Sequence, residues 1–511
     1  MKLLSAEQMR GLDRYVIEER GVPGLHLMER AGVAVAEAAL GLLYDRQGEV
    51  VVLCGKGNNG GDGLVAARAL GQNGIPVRVV LPFSPNELSP DARSMYDAAK
   101  AEDVPIAQTV TDEELRQAGV VIDALLGTGV TGPVRGVMAE LIQRTNAIRE
   151  GRGVLAVDLP SGVETDTGQV HGPAIRAEMT VTMALPKPGL VLYPGAGLAG
   201  RWRVADIGFP PEVVADWPAT AELTERAQAA SWIPHRPPTA YKGSVGYALI
   251  VAGSFGMTGA AAMSGLSAYR SGAGLVRLAL PTALVQELNA QLTEVVFLPM
   301  PQTSAGTLSF RAVSRLLAEA KNVQAALTGP GLSRNAATAH AIRRLIPAWP
   351  GPLSVDADAL TAMSGHDELW KMRKAPTVIT PHPGEMSRLL NKPVKELEAD
   401  RIGAAKEAAE RFNAVTVFKG APTIIAAPDG RAFVNPTGNA GLAVAGTGDV
   451  LSGCIVALLA QGVEPFFAAS LAVYAGGLAA ERMAEELGGV NGMTALDLID
   501  AMPYALGELM G

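Results

Sequence analysis

A chain of 511 residues that is 48% hydrophobic and 18% charged is long and apolar enough for two to four domains with sizeable cores. Its net charge of -8 argues against a polyanion-binding surface, so nucleic acid is not an expected partner, while small phosphorylated ligands can still be held by local backbone amides. The two cysteines, Cys54 and Cys454, sit far apart inside apolar segments and read as buried thiols, which excludes a disulfide framework and a zinc site.

The first ten residues lack a long apolar run, so no signal peptide is expected and the reading is cytoplasmic. Helical spacing covers residues 5–45, with Ser5 and Glu7 near a start. A strand is predicted over Val50–Cys54, running into Gly55-Lys-Gly-Asn-Asn-Gly-Gly-Asp-Gly63, with helical spacing resuming from Leu64 to Leu70. Strand, Gly-rich turn and helix form the phosphate-cradling arrangement of doubly wound α/β folds. Gly55, Gly57 and Gly60 satisfy G-x-G-x-x-G, yet the next strand, Val77–Leu81, ends in Pro82-Phe-Ser84 and not in the acid that a ribose requires. The Asn and Asp residues in the turn point instead to amide and carboxylate contacts with a ligand or ion.

Val120–Leu126 and Val154–Val157 repeat the pattern, leading into Gly127–Pro133 and Asp158-Leu-Pro-Ser-Gly162. Because ligands of open α/β sheets bind beyond the carboxyl ends of the strands, these loops are expected to share a crevice in which Asn59, Asp123 and Asp158 meet. A turn or capping role for Asp123, and an N-cap for Asp158, are the plain structural alternatives. A last strand over Thr180–Leu185 gives way to Pro186-Lys-Pro-Gly189, and the proline-rich stretch after Pro210 places a domain boundary near residue 220.

The second half alternates helices with strands predicted at Tyr247–Val251, Leu275–Leu280, Ala325–Thr328, Leu353–Val355, Thr377–Ile379, Val415–Phe418 and Thr423–Ala426, which again means a mostly parallel sheet covered by helices. Ligand groups are expected in the loops Gly329–Gly331, Asp356–Asp358, His382–Glu385 and Lys419–Thr423. His382, between two prolines, suits either substrate contact or a structural hydrogen bond. Gly446 and Gly448 deliver Asp449 to the start of an apolar run: either a base beside an anion hole at a helix N-terminus, or a glycine turn with a capping acid. The apolar stretch from Cys454 to Ala480 is interrupted by Gln461, Glu464 and Pro465 and reads as two buried helices, so no membrane span is expected.

With these motifs in view, the chain resembles the bifunctional enzymes that repair hydrated NADH and NADPH, in which an NAD(P)H-hydrate epimerase is joined to an ADP-dependent NAD(P)H-hydrate dehydratase. In the first half the resemblance rests on residues 55–63, Asp123-Ala-Leu-Leu-Gly-Thr-Gly129, Asp158–Gly162 and Pro186–Gly189. In the second half it rests on Ala252-Gly-Ser254 with Gly259-Ala-Ala261, Thr380-Pro-His-Pro-Gly-Glu385, Lys419-Gly420 and Gly446-Thr-Gly-Asp449. It implies a Rossmann-like domain over residues 1–220 and a ribokinase-like α/β domain over 221–511.

In the first domain, the resemblance implies that Asn59, Asp123 and Ser161 hold a potassium ion and that Asp158 is the catalytic acid or base, acting on the oxygen at C6. The hydrate would meet Asn58, Asn59, Gly60, Gly61 and Asp62, then Gly127, Thr128, Gly129, Val130, Thr131, Gly132 and Pro133, and Asp158. In the second domain, Ala261, Gly331, His382 and the base Asp449 would face the hydrate, while Lys419, Gly420, Ala421, Pro422, Thr423 and Gly448 would face the nucleotide. ADP with magnesium is the implied phosphoryl donor, NADHX and NADPHX are the implied substrates, and a homo-oligomer is expected. Glu164 stands where relatives often carry Asp, and Val473–Leu478 lacks a histidine common there. Two rival readings are a vitamin-alcohol kinase of the ribokinase type fused to a nucleotide-binding module, and a first domain that binds without catalysing.

Overall fold

Runs of Val, Ile and Leu buried on both faces dictate parallel strands enclosed by helices, and both halves of the chain follow that rule. The computed structural model describes residues 1–511 and divides into two units, Lys2–Ala221 and Glu222–Gly511 with Met1.

The first unit carries a seven-stranded sheet in the spatial order Ile106–Ala107, Val77–Val80, Val50–Cys54, Val120–Ala124, Gly153–Val157, Met179–Met183 and Arg201–Ala205. All pairings are parallel. The chain builds outward from Val50–Cys54 in one direction, then returns to its other side, so the topological switch lies between Val50–Cys54 and Val120–Ala124. In open α/β sheets ligands bind beyond the strand ends at such a switch.

The Gly-rich stretch differs from its expected form as a turn. It is the first turn of the helix Asn58–Gln72, which places Asn59 and Asp62 on a rigid element. Packing explains the glycines: a Cβ on Gly60 would lie 2.0 Å from the carbonyl oxygen of Gly55, and one on Gly55 would lie 1.9 Å from that of Leu125. The first helix of the chain, Ala6–Glu18, is capped by Ser5, whose hydroxyl accepts from Gln8 N at 3.2 Å while the Gln8 side chain accepts from Ser5 N.

The second unit is built on strands in the order Ala432–Val434, Ile424–Ala426, Val415–Phe418, Thr377–Ile379, Leu353–Val355, Ala325–Thr328, Tyr247–Val251, Leu275–Pro281 and Val296–Met300. Seven of these run parallel, and Val415–Phe418, Ile424–Ala426 and Ala432–Val434 form antiparallel pairs at one side. The strand Val296–Met300 was not legible because Pro299 lies inside it; as the edge strand it needs no ladder hydrogen bond on its outer side. Here the switch lies between Tyr247–Val251 and Ala325–Thr328. Gly253 N donates to Pro330 O at 2.9 Å and the Ser254 hydroxyl donates to Gly331 O at 2.8 Å, tying the two following loops together.

The expected pair of buried helices is present as Thr447–Ala460 and Pro465–Leu487, and no helix is long and apolar enough to cross a membrane. Thr447–Ala460 packs on Thr258–Arg270 so closely that a Cβ on Gly453 would lie 2.4 Å from Ser264 O, and the Ser267 hydroxyl donates to Val450 O at 2.6 Å. This contact fixes the helix that carries Asp449.

The two kinds of glycine in residues 55–63 separate in a stability measurement. Gly60→Ala should lower the urea-unfolding stability of the first unit by about 1–3 kcal/mol through overpacking. Gly57→Ala, with extended backbone and nothing near its missing Cβ, should change it by less than about 0.5 kcal/mol.

Candidate active sites

At the switch of the first unit, oxygens from three elements converge. Ser161 N donates to Asp123 Oδ2 at 2.8 Å and the Ser161 hydroxyl donates to Asp123 Oδ1 at 2.6 Å. Leu126 N donates to the same hydroxyl at 2.9 Å, while Asn59 Nδ2 donates to Leu126 O at 3.0 Å. Asp123 and Ser161 are fully buried, with no basic side chain among the Asp123 partners. Burial pushes Asp123 up to about 6, against the downward pull of the Ser161 and Leu125 hydrogen bonds. The carboxylate, the hydroxyl, the Leu126 carbonyl and the remaining oxygen of Asn59 are hard oxygen donors carrying one negative charge, a set suited to a monovalent cation. Asn59, Asp123 and Ser161 thus come together, and Asp123 bonds to a turn amide as well, since Leu125 N reaches Oδ1 at 3.3 Å.

Asp158 points elsewhere. It caps no helix; its backbone is left-handed, at φ 66°, and its carboxylate turns toward the Met179–Met183 strand. Thr182 Oγ1 donates to Oδ1 at 3.0 Å, Met183 N donates to it at 3.1 Å, and the buried Lys187 ammonium donates to it as well. The expected meeting of Asp158 with Asn59 and Asp123 therefore involves no hydrogen bond between them. Asp62 is pushed well above the usual carboxylate range by burial and by Asp158 and Asp13, with Lys187 opposing. Asp13 rises to about 6, first by burial. Of the other expected contacts, Gly60 and Gly61 are buried in packing, Asn58 is exposed and accepts from the Ser89 hydroxyl at 2.7 Å, and Gly127–Pro133 is a partly exposed loop with Val130 buried.

In the second unit Asp449 lies in the first turn of Thr447–Ala460, whose N-cap is Gly446 at φ 98°. Asp449 is therefore not the capping residue, and its carboxylate is left for other work. A Cβ on Gly446 would lie 2.6 Å from Met263 Sδ, so the turn admits only glycine. Burial raises Asp449 to about 7; Asp356 and Asp358 add to the rise and Lys419 opposes it.

Lys419 Nζ donates to Asp356 Oδ1 at 3.0 Å and lies 4.0 Å from Glu385, while the Ser452 hydroxyl donates to Asp356 Oδ2 at 2.6 Å. Burial works against the ammonium, but Asp356, Glu385 and Asp449 together hold its pKa above the ordinary lysine value. Gly448 sits beside this amine, 3.5 Å from Nζ to its missing Cβ.

Of the two roles that its sequence left open, His382 makes the structural hydrogen bond. It caps the helix Pro383–Leu390, its Nδ1 accepting from Gly384 N at 3.0 Å, while half of the ring stays exposed. Burial, then Lys419 and Arg388, lower its pKa, so the ring is neutral at pH 7 with its proton on Nε2. Gly331 is half-buried beside the tied loops. Ala261 is fully buried and offers no exposed surface to a ligand.

Several functional neighbours were not singled out by the sequence. Lys187 stood inside a quoted motif, and Asp356 inside a loop with expected ligand groups. Arg401 gave no signal at all: it is buried, and its Nη2 donates to Phe418 O and Lys419 O, each at 3.1 Å, while Nη1 pairs with Glu398 at 2.5 Å. Its guanidinium also lies 4.2 Å from the Phe418 ring and would collide with any side chain on Gly420. The loop Lys419–Thr423 is thereby clamped, and the Thr423 hydroxyl closes it by donating to Gly420 O at 3.0 Å.

Fold and sites define a two-part α/β enzyme: a doubly wound module with buried acids at the carboxyl ends of its strands, joined to a second, mostly parallel module with an acid and a lysine at a helix N-terminus. Residues 24–189 match the family model described as the YjeF-related protein N-terminus, and residues 248–504 match that described as NAD(P)H-hydrate dehydratase. The bifunctional NAD(P)H-hydrate repair enzyme of Moorella thermoacetica is 41% identical over 520 residues, and that of Salinibacter ruber 43% over 531, each alignment covering 100% of this chain and 97% of the relative. An ADP/ATP-dependent NAD(P)H-hydrate dehydratase from Bacillus subtilis, co-crystallised with ATP and Mg2+, is 31% identical over 57% of this chain and 99% of its own, with a TM-score of 0.49. The chain belongs to the family of bifunctional NAD(P)H-hydrate repair enzymes.

The Arg401 clamp has a measurable consequence. Arg401→Ala should lower the stability of the second unit by about 1–3 kcal/mol in chemical denaturation, because it leaves the carbonyls of Phe418 and Lys419 without this donor. Arg401→Lys should recover little of it, since an ammonium cannot reproduce the guanidinium fork that holds two carbonyls and stacks on Phe418.

Proposed function

We propose that this chain repairs hydrated NADH and NADPH in two steps: residues 1–220 interconvert the R and S hydrates, and residues 221–511 dehydrate the S form with ADP, releasing AMP and phosphate. The observation that carries the reading is Asp449, a carboxylate poised at about 7, at the positive end of a helix beside the Lys419 ammonium. A base matched to neutral pH next to an anion hole is what phosphorylation of a hydroxyl requires.

In the dehydratase site, Asp449 takes the proton of the C6 hydroxyl, and that oxygen attacks the terminal phosphorus of ADP as AMP departs. Lys419 and the amides of the Gly446–Gly448 turn and of Gly420–Thr423 stabilise the phosphate charge. The lone pair of the ring nitrogen then expels phosphate from C6, and loss of a proton from C5 restores the double bond. His382, neutral and half-exposed, offers an N–H to the hydrate, and Gly331 lines the approach. Lys419–Thr423 and Gly448 hold the nucleotide. A magnesium ion would enter with the nucleotide phosphates. When bound, it neutralises phosphate charge.

In the epimerase site, Asp158 is paired with the Lys187 ammonium and begins as a base. It takes the C6 hydroxyl proton; the C6–N1 bond opens to an aldehyde and a ring amine, which receives that proton. Reclosure on the other face returns the proton and inverts C6. The hydrate lies along Asn58–Asp62 and Gly127–Pro133. Asn59, Asp123, Ser161 and the Leu126 carbonyl fit potassium on the chemistry of their donors, and the ion, when bound, supplies positive charge at the mouth of that loop.

Asp158→Asn should lower epimerase kcat/KM by about 100-fold or more while ADP-dependent repair of the S hydrate persists, and Asp449→Asn should do the reverse. Loss of both activities in either folded variant contradicts the two-site division. For the wild type, dehydratase kcat/KM should rise with pH through a limb near pH 7, because Asp449 must be ionised to accept the proton. A limb near pH 4 would remove Asp449 from that role. Potassium chloride should raise the melting temperature of the first unit relative to choline chloride at equal ionic strength, and Asp123→Ala should abolish the difference.

A further inference from the structure

Lys187 is a lysine with almost no contact with solvent, 1% exposed, within the buried segment Pro186–Pro188. Its ammonium donates to three acceptors: Asp158 Oδ1, Thr182 Oγ1 at 3.1 Å and Met183 O at 2.9 Å. An ammonium has three protons, so none remains for a ligand. Lys187 therefore acts through its partners and does not touch substrate.

Those partners treat the two oxygens of Asp158 unequally. Oδ1 receives the Thr182 hydroxyl, the Met183 amide and the Lys187 ammonium, whereas Oδ2 receives no protein donor. The left-handed backbone of Asp158, with Asp158 N donating to Val181 O at 2.7 Å and Leu159 N to Val157 O at 2.8 Å, sets the side chain in that direction. Two further carboxylates face the same ammonium from other elements: Asp13 on the helix Ala6–Glu18 and Asp62 on the helix Asn58–Gln72. Neither has a hydrogen bond to it, so the direct bond commits the Lys187 charge to Asp158.

We propose that Lys187 is the positioning residue of epimerisation: with Thr182 and the Met183 amide it pins Oδ1 of Asp158, so that the substrate proton is taken and returned at Oδ2. This rests on the assignment of Asp158 as the proton-transfer group. Removing the cation leaves Oδ1 with two donors in place of three and takes away the positive charge that faces Asp158, Asp13 and Asp62.

The test measures epimerase pH profiles of the full-length Lys187→Met, Lys187→Arg, Thr182→Val and Asp158→Asn variants on the R hydrate, with dehydratase activity on the S hydrate as the measure of intact protein. Lys187→Met should move the acidic limb of epimerase kcat/KM upward by about 1–3 pH units, with activity partly recovered at high pH and dehydratase activity unchanged. Lys187→Arg should restore much of the original profile, and Thr182→Val should shift it in the same direction by less. An unmoved limb in Lys187→Met, with Asp158→Asn inactive, overturns the positioning role alone. An Asp158→Asn enzyme that still epimerises overturns the assignment beneath it. Should Lys187→Met fail to fold, an unmoved limb in Thr182→Val overturns the proposal by itself.

Discussion

One buried carboxylate, Asp356, holds the chemistry of the second unit in register. Its Oδ1 accepts from Lys419 on the loop after Val415–Phe418, and its Oδ2 accepts from Ser452 on the helix that carries Asp449 three residues earlier. A carboxylate that is 1% exposed is tolerable only when it is paired and hydrogen-bonded, so loop and helix are bound to one another through the charge they share. The same charge sets the two functional values of the site. It keeps Lys419 cationic despite burial and, after burial itself, is the largest contributor to raising Asp449 to about 7. A single constraint thus supplies both a buried cation and a carboxyl group that titrates near neutral pH.

The first unit solves a related problem with the opposite emphasis. Asp158 is satisfied by a buried ammonium and two further donors, whereas Asp123 is buried without any basic partner and is lifted to about 6. In the proposed function the paired acid takes the proton transfer and the unpaired one the cation. Asp123 lies at the carboxyl-terminal end of the strand Val120–Ala124, beside the topological switch, and Asp158 directly follows the neighbouring strand Gly153–Val157.

Much of this was legible in the sequence, because the signals were local. Buried strands such as Val50–Cys54 read as continuous apolar runs, and Gly446-Thr-Gly-Asp449 announced both a turn and an acid. The Gly-rich stretch after Cys54 misled in one respect: glycine suggests a turn, whereas here it shortens the distance between helix and strand, and Asn58–Gln72 is helical from its first residue. Long-range partnerships were not legible. Asp158 is 29 residues from Lys187, and Arg401 is 18 from Lys419; no spacing rule joins such positions, because the fold and not the local helix or strand brings them together. Ala261 shows the converse limit, since membership in a motif does not expose a side chain that the core encloses.

In the proposed route phosphorylation is a means of expelling an oxygen, and the fate of that oxygen is the most direct test. The S hydrate carrying 18O in its C6 hydroxyl, turned over once with unlabelled ADP in unlabelled water, should place the label in the released inorganic phosphate. Label appearing in water, with unlabelled phosphate, would show that hydroxide leaves without being phosphorylated and would contradict the role given to Asp449 and Lys419.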